Sequence, residues 1–178
     1  MVRERADVGD AVTEGQVRAA VALIRVPGPD AILIIERAVR EGDPWSGQMG
    51  LPGGHAEPGD FDLVATAIRE TEEEVGVSLP RSALVETLPD VAPRSVNPPP
   101  FLVRPFLFSI SERPSLRLSS EVASATWVEW RALSDPANCQ VIPIPIRGVE
   151  RLVPAFVIDG RVIWGMTERV LAGLVAGG

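Results

Sequence analysis

With 178 residues, 46% of them apolar and 23% charged, the chain fits a single globular domain with a sizeable core. Its net charge of -7 argues against a general nucleic-acid binder, which would show a basic patch, but not against an anionic substrate, because a bound cation inverts the local sign. One cysteine (Cys139) and one histidine (His55) exclude an intrachain disulfide and the usual zinc constellations, and no segment reaches the ~18 apolar residues of a membrane span.

In chain order, residues 1–15 are polar, weakly patterned and without the apolar run of a signal peptide; they read as a flexible lead-in to one domain over 16–178, expected in the cytoplasm. Val17 to Val26 and Ala31 to Glu36 are β-rich runs around Pro27-Gly28-Pro29-Asp30, which predicts an antiparallel hairpin. A loop from about Ala38 to Ser46 leads to a short strand near Gln48 to Leu51, which Pro52-Gly53-Gly54 is expected to break. The spacing predicts a helix over about Asp62 to Val75, with Asp60 or Asp62 as N-cap. Asn97-Pro98-Pro99-Pro100 cannot continue a central strand. Strands follow over Phe101 to Ile110 and Ala123 to Trp130, with a helical turn near Leu133. Asp159-Gly160 predicts a hairpin between Ala155–Ile158 and Arg161–Trp164, then a helix from Thr167 to Val175 and a flexible tail, Ala176 to Gly178. The sum is a mixed sheet with few helices, an α/β or α+β layered domain.

The acidic helix carries the chemistry. Glu70, Glu73 and Glu74 share one face, with Thr66 a turn earlier, while Leu63, Val64, Ala67, Ile68, Thr71 and Val75 form an apolar stripe opposite. Gly76 stands where a left-handed helix stop belongs. Three neighbouring like charges repel unless something positive lies among them, and oxygen-only ligands suit Mg2+ or Mn2+ rather than Zn2+. The plainer reading is a solvated acidic face on a rigid helix; Glu72, off the shared face, reads that way in any case.

The run Gly54-His55-Ala56-Glu57-Pro58-Gly59-Asp60, continued to Arg69-Glu70 and Glu73-Glu74-Val75-Gly76-Val77, resembles the Nudix box of Nudix hydrolases. Asp60 stands where the common pattern has Glu, the spacer to Arg69 is one residue longer, and Thr71 replaces a larger apolar residue. The first two departures, with Arg37, Ser46-Gly47-Gln48, Leu51-Pro52-Gly53-Gly54 and Ile163-Trp164-Gly165-Met166-Thr167, resemble the coenzyme A pyrophosphatase branch. Trp45 stands where that branch has His, and Leu51 where it has Phe.

The resemblance implies a Nudix-type α/β/α sandwich with a mixed sheet and a loop–helix–loop, and metal-assisted hydrolysis of a pyrophosphate bond with Mg2+ or Mn2+. It implies Glu70 and Glu74 as principal metal ligands and the Gly54 carbonyl as a backbone ligand. Glu73 would be a further ligand or the general base, with the choice between Glu73 and Glu74 open. It also implies Arg69 as the residue orienting the acids and Asp60 as its partner. Glu121, before Trp127-Val128, is a further metal candidate or a strand-edge carboxylate; Glu57 joins the metal site or shapes its turn. Arg37, Arg40, Trp45, Gln48, Gly53 and His55 are substrate-binding candidates: the arginines for phosphates, Trp45 for stacking on adenine. Arg104 is a basic residue without an assigned place, and Cys139 a packed or loop thiol.

The implied substrate is a small nucleotide, with CoA or acyl-CoA favoured. ADP-ribose, a dinucleotide or an oxidised nucleotide is the second option, and a non-catalytic Nudix-fold binding module the third. The N-terminal strands and C-terminal helix would serve a homodimer interface or only the core.

Overall fold

The computed structural model describes residues 17–28, 30–42, 45–92, 101–146 and 148–177. The expected lead-in and the Asn97–Pro100 run lie outside the described residues.

β1 (Val17–Pro27) and β2 (Asp30–Arg37) form the hairpin that the sequence predicts, but they pair only near its turn, from Arg25↔Ile32 to Pro27↔Asp30. Beyond it they diverge. β1 pairs through Ala19–Val21 with β4 (Gly53–His55), and β2 pairs through Ile35 and Glu36 with β3 (Met49–Gly50). The outer edges of both strands are taken, that of β1 by parallel β6 (Leu102–Ser109) and that of β2 by antiparallel β7 (Val122–Glu129). β3 and β4 therefore fill the split between β1 and β2. The expected break at Gly53-Gly54 is instead a strand of its own, because the diverging edge of β1 offers unpaired backbone groups that Gly53 to His55 satisfy. β5 (Leu84–Thr87) closes the far edge against β6.

Alternation along the hairpin sends its side chains to two cores. Leu23, Ile32 and Ile34 face one side; Ala20, Ala22, Ile24, Leu33 and Ile35 face the other. Both faces are buried, so the strands read as nearly continuous apolar runs. The second face is covered by α1 (Leu63–Val75). The first is covered by α2 (Trp130–Leu133), α3 (Gly165–Gly177) and a three-stranded antiparallel sheet, β8 (Cys139–Ile146), β9 (Val149–Ile158) and β10 (Arg161–Trp164). The result is the expected α/β/α sandwich around a mixed sheet.

Asp159 and Gly160 turn with φ of 50° and 75°, the positive pair that a tight hairpin needs. The sequence reading misses β5, β8 and the outer half of β9. Pro143 and Pro145 disguise β8, yet an edge strand tolerates proline where no ladder hydrogen bond is required. Ala176 and Gly177, expected as a flexible tail, extend α3.

Phe108 is fully buried in the core beneath α1. Phe108→Ala should cost about 3–5 kcal/mol of stability. Urea unfolding checks this as a lowered midpoint at unchanged slope; a loss below about 1 kcal/mol would contradict the packing described.

Candidate active site

The acidic helix is fixed at both ends. Asp62, not Asp60, is the N-cap: its Oδ1 accepts from the Ala65 N–H at 2.9 Å, and Arg81 holds the same carboxylate from outside. Gly76 ends the helix with φ 69°, its N–H donating to the Glu72 carbonyl at 2.9 Å. Val64, Ala67, Thr71 and Val75 are buried as the stripe predicts, and the Thr71 hydroxyl donates to the Ala67 carbonyl at 2.7 Å.

Glu74 is buried too, at 4% exposure. Its Oε2 accepts from the Gly53 N–H at 2.9 Å, and Arg37 Nη1 stands 3.9 Å from its Oε1. Burial pushes its pKa up to about 7, with the charges of Glu70 and Glu121 adding to the rise and the Gly53 N–H and Arg37 opposing it. Gly53 has φ 153°, and a Cβ there would lie 2.2 Å from the Ala20 carbonyl oxygen. A Cβ on Gly54 would lie 2.4 Å from Glu70 Oε1. Gly53 thus lets β4 lie directly on the backbone of β1, and Gly54 lets it run against the Glu70 carboxylate. Burial likewise raises the pKa of Glu70, against the pull of Arg69.

Arg69 is the hub. Its Nε and Nη2 hold the two oxygens of Asp60 at 3.0 and 3.1 Å, Nη2 donates to the His55 carbonyl at 3.0 Å, and Nη1 reaches Glu70 at 3.0 Å and Glu73 at 3.1 Å. Asp60 also accepts from the Thr66 hydroxyl and the Glu57 N–H, both at 2.9 Å. The Arg69 hydrogen bonds hold the Asp60 carboxyl down at about 2. Thr66 therefore serves the Asp60 clamp. Glu57, exposed, gives its backbone to the turn.

The expectation that Glu70, Glu73 and Glu74 point the same way needs correction. The Glu73 side chain is 59% exposed and turns with Glu70 to Arg69, whereas Glu74 turns inward to Gly53. Among the described residues, no three His, Cys, Asp or Glu side chains are gathered as a ready metal cage. Like charges separate, and here the guanidinium supplies the positive charge between two of them. The donor chemistry nonetheless fits a hard cation: carboxylate oxygens, a backbone turn stripped of Cβ, and a buried acid whose pKa is raised partly by neighbouring carboxylates.

Glu121 joins this group through backbone that the sequence reading overlooks. The Arg117 N–H donates to the Val75 carbonyl at 2.8 Å and the Ser119 N–H to the Glu74 carbonyl at 2.9 Å, so the segment before β7 caps the end of α1 and delivers Glu121 beside Glu74. Arg40, expected to meet phosphate, pairs with Glu121 at 3.1 Å. The Gln48 carbonyl accepts from the Arg37 N–H at 3.0 Å, closing the loop before β3. The Trp45 and His55 rings both pack edgewise on Phe101, which the sequence reading did not single out. Arg104 binds Asp90 through two hydrogen bonds of 2.8 and 2.9 Å. Cys139 is exposed on edge strand β8. No helix among the described residues is long and apolar enough to cross a membrane.

Comparison with known proteins matches the NUDIX domain model to residues 16–143. An uncharacterized protein of Schizosaccharomyces pombe is 38% identical over 135 residues, covering 71% of this chain and 40% of its own length. This chain therefore spans well under half of that relative. The uncharacterized Nudix hydrolase NudL of Photorhabdus laumondii is 28% identical over 163 residues, covering 90% of this chain and 84% of its own length. A MutT/nudix family protein from Enterococcus faecalis superposes with a TM-score of 0.57 at 16% identity, covering 98% of this chain and 62% of its own, a likeness of fold.

Asp60→Asn keeps the shape of the clamp and removes its charge. The folded carboxyl titrates near 2, below the unfolded value of about 3.9, so its stabilisation is complete above that value and lost as pH falls through 2. The variant should be about 1–3 kcal/mol less stable at neutral pH, with the difference shrinking as pH drops from about 4 to 2. Denaturant unfolding at several pH values checks this; parallel stability curves for the two proteins would contradict it.

Proposed function

This chain belongs to the Nudix family, and from that premise we propose that it is a divalent-cation-dependent hydrolase that splits the pyrophosphate bond of a nucleoside diphosphate linked to another group. The observation that carries the reading is the pairing of Glu74 with the Gly53 N–H and of Glu70 with the Cβ-free face of Gly54. Two buried or half-buried carboxylates held against one backbone turn make a poor structural feature and a good cation site.

Glu70, Glu74 and the Gly54 carbonyl would hold Mg2+ or Mn2+, with Glu73 and Glu121 as further donors. When bound, such an ion neutralises pyrophosphate charge and acidifies water. The chain supplies the rest. Buried Glu74 or exposed Glu73 would take the proton from the attacking water. Arg69 holds Glu70 and Glu73 to the loop carrying Asp60, so the acids keep their places. The intact set Glu70, Glu73, Glu74 and Arg69 counts against a purely binding module, which has no need of all four.

The favoured substrate is CoA or acyl-CoA, giving adenosine 3',5'-bisphosphate and phosphopantetheine or its acyl form. Its support is Asp60 with the longer spacer, the Leu51–Gly54 string and the Ile163–Thr167 string. One observation favours a second reading, a nucleotide without a 3'-phosphate such as ADP-ribose: Arg40 is engaged by Glu121. Turnover with Mg2+ over a nucleotide panel that includes CoA separates the readings.

Glu74→Gln should abolish turnover with the fold intact. Mn2+ at a hundred times its Kd should stabilise the parent by about 2.7 kcal/mol and the variant far less. Equal thermal shifts would remove Glu74 from the cation site, and parent-like turnover would remove it from the reaction. Arg37→Ala and Arg40→Ala should lower the preference for CoA over dephospho-CoA about tenfold each, the loss of one charge-assisted contact. An unchanged KM ratio would take both arginines out of 3'-phosphate recognition.

A further inference from the structure

The chain is poor in rings: four tryptophans, five phenylalanines, one histidine and no tyrosine. Three of them meet beside the acidic site. Phe101 lies edgewise to Trp45, with ring centroids 6.3 Å apart at 71°, and to His55, 4.8 Å apart at 61°. Backbone register brings His55 and Phe101 together. His55 and Val103 both pair with Ala19 of β1, from opposite sides, and Phe101 is two residues before Val103. Ala19 is small and buried, so the larger rings close over the strand between them. Trp45 arrives from the loop that Ser46 ties down, its hydroxyl accepting from the Arg40 N–H at 2.6 Å.

This cluster is not a core. Trp45 and Phe101 are half-buried and His55 is exposed, so each ring keeps a surface open to solvent. It is also joined to the acidic site by the backbone. His55 follows Gly54, which lies against Glu70, and the His55 carbonyl accepts from Arg69. A diphosphate seated at Gly54 and Glu70 would place its nucleoside one residue away from the rings. Arg37 and Arg40 lie on the same segment as Trp45. Rings at the surface, on segments that also carry arginines, suit an aromatic base that carries phosphate more than an aliphatic chain.

We propose that Phe101 is a specificity-determining residue: with Trp45 and His55 it forms the wall against which the nucleobase of the substrate stacks. This rests on the reading of the acidic site as a nucleotide pyrophosphatase and adds where the base lies. Phe101 fixes Trp45 and His55 in place and adds a face of its own.

The test is equilibrium binding without cation and without turnover, using AMP and ribose 5-phosphate as probes, on the parent and on the Phe101→Leu and Phe101→Tyr variants. Because one stacked ring is lost, Phe101→Leu should weaken AMP about tenfold while leaving ribose 5-phosphate within twofold, and Phe101→Tyr should restore AMP. Trp45 fluorescence, isolated by comparison with Trp45→Phe, should be quenched by AMP and not by ribose 5-phosphate. Parent-like AMP affinity in Phe101→Leu would overturn the proposal, as would equal loss of both probes or a parent that binds neither. If AMP binds as expected but no pyrophosphate is ever cleaved, the hydrolase reading fails and the base wall stands. If CoA is cleaved with a KM indifferent to Phe101→Leu, the hydrolase reading stands and the wall falls.

Discussion

The guanidinium of Arg69 is the contact on which the site depends. One planar cation joins the loop, through Asp60 and the His55 carbonyl, to the helix, through Glu70 and Glu73. Without it, Glu70 and Glu73 would repel one another with no positive charge between them, and the loop would keep only its ties through Thr66 and Glu74. A lysine could not substitute, since a single ammonium lacks the fork that reaches both Asp60 oxygens and the two glutamates together. Charge-assisted bonds of this kind remain strong because the Asp60 side chain is 7% exposed and the Arg69 side chain 23%, so water screens them little.

The clamp would be idle without the split in the sheet. If β1 and β2 paired along their whole length, no strand edge would remain for β3 and β4, and Gly53 and Gly54 would stay a surface loop. Divergence after three residue pairs exposes the edge of β1, and β4 docks there with Gly53 on the β1 backbone and Gly54 against Glu70 of α1. The same sheet geometry puts His55 over Ala19 and brings Phe101 to it from β6. One topological feature therefore sets both the carboxylate turn and the ring cluster, on residues adjacent in sequence. The hydrophobic cores on either face hold the split open, since Leu51 is buried in the first core and Val64 and Ala67 in the second.

What the sequence reveals follows from how local each signal is. The hairpin of β1 and β2, the acidic helix and its Gly76 stop rest on periodicity and turn chemistry within a dozen residues, and all three appear in the structure. So does the α/β/α layering, through the resemblance carried by Gly54 to Val77. The inward turn of Glu74 and the outward turn of Glu73 are not local properties. Each lies within about a turn of Glu70, but consecutive residues stand about 100° apart on a helix, and Arg69 draws Glu73 outward while the position of β4 holds Glu74 inward. Glu121 beside Glu74, Arg40 on Glu121 and Phe101 on His55 all depend on pairings between distant segments. β8 escapes for a different reason: its prolines are the usual mark of a broken strand, and only its place at an edge makes them harmless.

Glu74 carries a stability cost that depends on pH. An acid whose pKa rises from its unfolded value of about 4.3 to about 7 on folding binds its proton more tightly in the folded state. Its contribution is therefore most favourable below the unfolded value, declines as pH rises through 7, and at higher pH leaves a buried anion that opposes folding. Core packing around Val75 and Ala67, both fully buried, offsets that opposition. A leucine at the same helical position would pack without it, but it would give the Gly53 N–H no acceptor and the site no buried oxygen. The chain itself offers this carboxylate little positive charge, because Arg69 is already committed to Asp60, Glu70 and Glu73 and Arg37 pairs with it only at 3.9 Å.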